Sequence, residues 1–249
     1  MTVRTLLVRG MLVGVVAALL ALGFAELIGE PEVDRAITFE AQRVRVEHET
    51  PAPTLVNRDI QKSIGVATAV TLYSVAFGGL FALAFAVAFG RVGRLSARST
   101  AAVLALGGYL ALVVVPFLKY PANPPAIGNP ETIERRTALY FGMLLISLLL
   151  AIFAVRLGRQ LLPRLGGWDA ALIAGGVFVV GIALVQLVLP AVEETPPDFP
   201  ATVLWRFRLA ALGTQLVLWA TFGLLFGALT ERSLRASRRV RRQREHEPV

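Results

Sequence analysis

Six long apolar segments dominate the sequence and leave few folds open to it. They cover roughly residues 6–28, 64–90, 101–118, 138–162, 170–189 and 203–229. An apolar stretch of about 18 residues or more is typical of a membrane-spanning helix. The segments are continuous and lack the two-residue alternation of barrel strands. At 55% hydrophobic residues, the chain is also too apolar for an ordinary soluble domain. We therefore predict an all-α integral membrane protein, a bundle of six transmembrane helices.

The net charge of +8 is distributed unevenly between the loops. The N-terminus, the loops at 91–100 and 156–169 and the C-terminal tail hold 15 of the 25 basic residues but 4 of the 17 acidic ones. Cytoplasmic loops of membrane proteins carry such an excess of arginine and lysine. We therefore predict that both termini are cytoplasmic, and we expect no nucleic-acid partner.

The same pattern predicts the domain organisation. Residues 1–230 are expected to form one six-span membrane domain, and residues 231–249 a basic cytoplasmic tail attracted to anionic lipid. Paired arginines, such as Arg91 and Arg94, follow every second segment, which suggests three helical hairpins; the positive-inside rule alone is the alternative. The first segment can also be read as a signal peptide, but it is long for one, and its removal would break the charge alternation.

A proline-rich stretch separates the third and fourth segments. Four prolines fall between Pro121 and Pro130, so this stretch cannot form an ordinary helix. We predict that residues 120–130 form an ordered hairpin packed at the mouth of the bundle, with Arg135 and Arg136 paired to acids of the outer loops. Tyr120 is expected in an aromatic belt at the membrane interface.

Candidate metal ligands are mostly carboxylates, because the chain has no cysteine and two histidines. Six residues of the predicted outer side form this candidate set: Glu26, Glu30, Asp34, His48, Glu193 and Glu194. Such an oxygen-rich site would bind cobalt less selectively than an imidazole-rich one. Within the spans, Gln186 and Gln215 can bond each other or contact a transported ion. The sequence lacks the common phosphate-binding and hydrolase motifs, so neither enzyme activity nor a tightly bound cofactor is expected.

Several motifs resemble the CbtA family of predicted cobalt transporter subunits. They are Arg9-Gly10, Gly29-Glu-Pro-Glu-Val-Asp-Arg-Ala36, Pro116-Phe-Leu-Lys-Tyr-Pro-Ala-Asn-Pro-Pro125 and Thr202-Val-Leu-Trp-Arg-Phe-Arg208. The most specific residues lie in the proline hairpin and just after it: Lys119, Tyr120, Pro121, Asn123, Pro124, Pro125, Arg135 and Arg136. Many members carry a histidine-rich first outer loop, where this chain has only His48.

The resemblance implies a permease-type subunit that takes up a divalent metal, by this likeness Co²⁺, across a bacterial inner membrane for cobalamin synthesis. It also implies a partner, a second and smaller subunit with one span and metal-binding histidines. A homo-oligomer is a further expectation. The alternative is a non-transporting scaffold that stabilises a partner, since few polar residues lie deep in the spans.

Overall fold

The chain is helical through nearly all of its described part. The computed structural model describes residues 2–47, 65–91, 93, 95–125, 127, 132–192 and 194–245. Eight α-helices lie in these residues: α1 Val3–Phe24, α2 Glu30–Glu47, α3 Val66–Ala88, α4 Ala97–Tyr109, α5 Val115–Lys119, α6 Ile133–Val188, α7 Ala201–Thr221 and α8 Gly227–Glu245. Short π-helical turns join α1 to α2, α4 to α5 and α7 to α8. No strand occurs among the described residues, in agreement with the predicted all-α class.

Five helical stretches are long and apolar enough to cross a membrane. They are Val3–Arg43, Val66–Ala88, Ala97–Lys119, Ile133–Val188 and Ala201–Ser237. Four of them each coincide largely with one predicted segment. The remaining stretch, α6, covers nearly all of two, at 138–162 and 170–189. A helix satisfies its own backbone hydrogen bonds, which hydrocarbon requires of any spanning segment.

Gly166 interrupts α6 near its middle. Its backbone angles are φ 77° and ψ 174°, outside the helical region, and glycine adopts a positive φ without the steric cost other residues meet. Pro163, three residues earlier, lacks the N–H that a continuing helix would use. Residues 156–169, which were predicted to form a loop, are otherwise helical. The predicted loop is thus reduced to a break around one residue.

The two halves of α6 pack against each other. A Cβ placed on Gly158 would lie 3.2 Å from the Cβ of Ala174, and one placed on Gly181 would lie 3.3 Å from Leu150. Each contact joins residues at nearly equal distances before and after Gly166. This is the contact pattern of two antiparallel helices.

The described chain divides into two compact units. The first comprises Met1–Ile28, Glu49–Leu106 and Gly213–Val249, and the second comprises Gly29–His48 and Gly107–Leu212. The predicted boundary at residue 231 is not marked by a helix end, because α8 continues to Glu245.

Glycines bring α1 and α3 close together in the first unit. A Cβ on Gly10 would lie 2.2 Å from the carbonyl oxygen of Gly78, and one on Gly14 would lie 2.4 Å from that of Ser74. Small residues permit such close backbone approach between membrane helices. These glycines therefore serve helix packing.

Aromatic rings fill the space between α3 and the last helices of the first unit. Phe81 stacks on Phe222 at 5.5 Å between centroids and meets Phe226 edge to face at 5.4 Å. At one end of this unit, Arg9 on α1 donates to the hydroxyl oxygens of Thr230 (3.0 Å) and Ser233 (2.6 Å) on α8. Ring packing and these hydrogen bonds join helices distant in sequence.

The second unit has its main apolar core around α5 and α6. Val115, Tyr120, Met143 and Ile182 are buried together there. Ser147 on α6, which is fully buried, donates to the carbonyl oxygen of Ala111 at 2.6 Å. This core fixes the start of the proline hairpin against α6.

The close approach of α1 and α3 predicts that Gly10→Ala lowers the free energy of unfolding by about 1–3 kcal/mol, because the new methyl group would overlap a backbone carbonyl. Gly107→Ala is the matched control, since nothing lies within 4 Å of its Cβ position. That change should be neutral or stabilising by up to about 1 kcal/mol, because alanine favours the helix. Unfolding in detergent followed by circular dichroism measures both; equal effects would contradict the close approach.

Candidate functional site

Lys119 completes the hydrogen bonding of α6 where that helix ends. If the helix continued, the carbonyl oxygen of Gln186 would accept from the N–H of residue 190, but the helix ends at Val188 and Pro190 has no N–H. The amine of Lys119 donates to that oxygen at 2.8 Å instead. The end of α6 and the beginning of the proline hairpin are therefore joined by a group that replaces a missing backbone donor.

Tyr120 forms the next link between the same two segments. Its hydroxyl donates to the carbonyl oxygen of Pro190 at 3.0 Å, and the residue is only 5% exposed. Burial raises the pKa of the phenol, against a smaller opposing effect of Arg135, so the hydroxyl keeps the proton that it donates. Tyr120 is thus packed in the core of the second unit; its predicted place in an aromatic belt at the membrane interface stays a prediction.

Asn123, a residue of the family motif, is held by Arg208 from α7. The Arg208 guanidinium donates to the Asn123 side-chain oxygen at 3.1 Å and to the carbonyl oxygen of Ala122 at 3.3 Å. A planar guanidinium has several donors in fixed geometry, so it can hold two acceptors at once. Pro124 beside them is buried, whereas Pro121 is half-buried and Pro125 is exposed.

A small apolar cluster holds the hairpin further along. Ile127 is buried with Ala36 of α2 and Phe199, which precedes α7. Phe39 meets Phe199 edge to face with 5.1 Å between ring centroids. The described part of the hairpin is therefore packed against both other predicted outer loops, as expected. Its residues 126 and 128–131 lie outside the described part of the chain.

Glu194 receives two donors, one on each carboxylate oxygen. Arg136 donates to one oxygen at 2.6 Å, and the Thr132 hydroxyl donates to the other. The carboxylate side chain is 2% exposed and that of Arg136 is 31% exposed. Arg136 thus has the outer-loop acidic partner that its sequence context predicted, while Arg135 is exposed.

Glu32 is a second buried carboxylate, and it was not among the residues predicted to form a site. It is 5% exposed; one oxygen pairs with Arg35 and lies 3.9 Å from Arg206. Its other oxygen has no hydrogen-bond partner among the described residues. A signal was present, since Glu32, Ala36 and Phe39 share one face of a helix at spacings of four and three residues. Arg208 was noted only as part of a motif.

The candidate metal ligands do not form a site in the described part of the chain. His48 and Glu193 lie outside that part, Glu194 is paired as above, and Glu26 and Asp34 are exposed while Glu30 is half-buried. No group of three or more histidine, aspartate or glutamate side chains among the described residues is arranged to hold a metal ion. The six-residue metal site remains a prediction.

The two span glutamines have different surroundings. The Gln186 amide nitrogen donates to the carbonyl oxygen of Val115 at 3.2 Å, so it bonds a backbone group. In the first unit, the Gln215 side-chain oxygen is buried without a partner among the described residues, and so are the Ser74 hydroxyl and the Trp219 indole nitrogen. Unpaired buried polar groups are uncommon and call for an explanation.

We call the contacts made by Lys119, Tyr120, Asn123, Arg136, Glu194 and Arg208 the loop network. Among the described residues of the second unit, the buried carboxylates Glu32 and Glu194 both have arginine partners. Both oxygens of Glu194 already accept hydrogen bonds, so a cation could bind there only by displacing Arg136 or Thr132. The loop network as it stands therefore orders the loops, and its one carboxylate, Glu194, is occupied.

Breaking the ion pair of the loop network should have an asymmetric effect. Arg136→Met leaves the buried Glu194 carboxylate without its cation, and we expect a loss of unfolding free energy of about 2–4 kcal/mol. Glu194→Gln should cost less, since Arg136 can reach water and the amide oxygen can still accept from Thr132. Arg135→Gln, at an exposed neighbour, should stay within about 0.5 kcal/mol of the parent. Chemical unfolding in detergent measures all three; equal losses for the first two would contradict the asymmetric burial.

The motifs of the hairpin and of α1, α2 and α7 all lie within a match to a known protein family. A family model described as Probable cobalt transporter subunit (CbtA) matches residues 3–231, which confirms the resemblance stated for the sequence. The chain matches no curated protein and no solved structure. With its membrane-length helices and a match over more than nine-tenths of its length, the chain is a multi-pass membrane protein that belongs to the family of probable cobalt transporter subunits, CbtA.

Proposed function

We propose that this chain is the permease-type subunit of a divalent metal uptake system in a bacterial inner membrane, with Co²⁺ as cargo. The observation that carries the proposal is the overlap between the family match at residues 3–231 and the membrane-length helices. A transporter subunit implies partner subunits, and a small one-span protein rich in histidine is the partner proposed here. A non-enzymatic role is part of the same proposal, and the family membership supports it.

The proposal includes six spans with both termini in the cytoplasm. Supporting it, α6 would be about 84 Å long as one straight helix, against a hydrocarbon core of about 30 Å. Its break at Gly166 and the antiparallel contacts on either side fit two spans joined by a tight inner turn. The basic residues at 156, 159 and 164 lie beside that turn, where the positive-inside rule expects them.

Single cysteines in this cysteine-free chain test the topology. Thr50→Cys and Thr195→Cys should react with an impermeant thiol reagent added outside intact cells. Ser237→Cys and Gly167→Cys should react only after the cells are opened. Outside labelling at position 237 but at neither 50 nor 195 would reverse the orientation. Outside labelling at positions 50 and 237 but not at 195 would mean that α6 crosses once, which leaves five spans. Outside labelling at position 167 in addition to 50 and 195 would mean that neither half of α6 crosses.

The unpaired polar atoms of the first unit support a transport role. Trp219 contacts the ring of Phe77 at 6.2 Å between centroids, and Ser74 lies three residues before Phe77 on one face of α3. Gln215 lies one turn before Trp219 on α7. Polar groups inside a membrane bundle are costly, and they often mark the path of an ion or of water. We propose that Ser74 and Gln215 supply oxygen atoms along such a path.

Cation capture is assigned to the acids of the predicted outer side. In this proposal the carboxylates of Glu26, Glu30, Asp34 and Glu193 gather divalent ions through oxygen atoms, and His48 contributes at most one nitrogen, while Glu194 stays paired with Arg136. Such a site is weak and poorly selective for cobalt. Selective capture is therefore proposed for the histidines of the one-span partner.

A scaffold that stabilises its partner without transport is the alternative. The observation that favours it is the pairing of both buried carboxylates with arginines in the second unit. A scaffold needs well-ordered loops and no ion path. In the transport function the unpaired oxygen of Gln215 contacts the transported ion, whereas in the scaffold function it has no role.

Metal accumulation in cells tests both functions. Cells that express the chain with its partner should accumulate more cobalt than cells without the chain, and more cobalt than nickel, when each ion is supplied separately. Gln215→Leu should reduce cobalt accumulation severalfold without lowering the amount or stability of the protein, because it removes an oxygen that has no structural partner. Elemental analysis of washed cells gives the readout.

Ser147→Ala is the matched control, since its hydroxyl is also buried in a span but is bonded to the backbone. This variant should lower stability by about 1 kcal/mol and leave accumulation per molecule unchanged. Normal accumulation with Gln215→Leu would favour the scaffold. No cobalt accumulation by the parent chain would reject the uptake function.

A further inference from the structure

A groove of about 420 Å³ opens on the first unit between α4 on one side and α8 with the π-helical turn before it on the other. Arg98, Ser99, Ala102, Gly223, Leu224 and Ala228 line it. Arg98 and Ser99 lie in the first turn of a membrane-length helix, and Ala102 follows Arg98 by one turn, about 6 Å along the axis. The groove is therefore polar and cationic at its mouth and apolar along its length.

The charge at the mouth is not cancelled by the nearest acid. Glu231 accepts hydrogen bonds from the backbone N–H of Ala97 at 2.9 Å and from the Arg235 guanidinium at 3.1 Å. The Arg98 side chain is exposed, and no carboxylate among the described residues pairs with it. Arg98 and Arg235 against Glu231 leave a net positive charge beside the first turn of this membrane-length helix.

We propose that this groove binds one anionic phospholipid. Arg98 holds the headgroup phosphate, and an acyl chain lies along Ala102, Gly223 and Leu224. A phospholipid carries its negative charge and its apolar chain at the spacing that the groove presents, and basic sites between membrane helices suit anionic headgroups. This proposal does not depend on the transported ion.

A wholly apolar partner helix fits the groove less well. Seated there, it would cover Arg98 without supplying an opposite charge, and an unpaired covered charge is costly. A phosphate that entered without a chain would leave the apolar length of the groove empty. An anionic phospholipid is thus the occupant that pairs the charge of Arg98 and also fills the apolar part of the groove.

Native mass spectrometry of the delipidated full-length chain in an uncharged detergent tests the proposal. The probes are dioleoyl phosphatidylglycerol and dioleoyl phosphatidylcholine, which share their chains and differ in charge. The parent should bind phosphatidylglycerol more tightly. Arg98→Gln should weaken phosphatidylglycerol binding about fivefold, with little change for phosphatidylcholine. Ala102→Phe should weaken it as well, because the ring fills the groove.

Arg156→Gln is the matched control, an exposed arginine of a membrane-length helix that does not line the groove. It should leave phosphatidylglycerol binding unchanged, and circular dichroism should show parental helix content in all variants. Equal binding of the two lipids, or equal losses with Arg98→Gln and Arg156→Gln, would overturn the proposal. So would loss of partner co-purification with Ala102→Phe while lipid affinity stays intact, since a helix would then occupy the groove.

Discussion

Every peptide group inside hydrocarbon needs a hydrogen-bond partner from the protein itself, and the structure depends on this constraint. Within the spans, each helix satisfies this requirement with its own backbone hydrogen bonds. At helix ends the last carbonyls and the first N–H groups lose their intrahelical partners. Side chains from distant segments then supply them, as Lys119 does for Gln186 and Glu231 does for Ala97. The order of the loops is thus a consequence of the same requirement that makes the spans helical.

Charge burial follows a related rule in the second unit. Glu32 and Glu194 are nearly inaccessible, and arginines accompany both. A carboxylate without a counter-charge at such positions would destabilise the fold. The acids that order the loops already have a positively charged partner, whereas an acid that receives a metal cation must be free of one. Membership in a metal-transport family does not make every buried acid a ligand, and the paired ones are better understood as structural.

The sequence predicted the helices well because apolar length is a direct physical requirement for crossing a membrane. It also predicted an irregular, packed hairpin, since proline removes donors wherever it stands. It placed a loop at 156–169, whereas the structure bends at Gly166, because flanking arginines mark the side of a membrane and not where a helix ends. The burial of Glu32 was readable from its shared face with Ala36 and Phe39. The pairing of Arg136 with Glu194 could not be predicted from the sequence, because several acids of the predicted outer loops were equally possible partners. Only the fold shows which of them lies next to Arg136.

Pro190 and Lys119 are 71 positions apart, yet one is chemically the complement of the other. The proline withholds a donor from the Gln186 carbonyl, and the lysine provides it. Across related chains, these two positions should change together. Where residue 190 regains an N–H, the helix could satisfy that carbonyl alone, and selection for an amine at 119 would relax. Lys119 of the hairpin motif can in this way be required by the end of α6, which lies outside the motif.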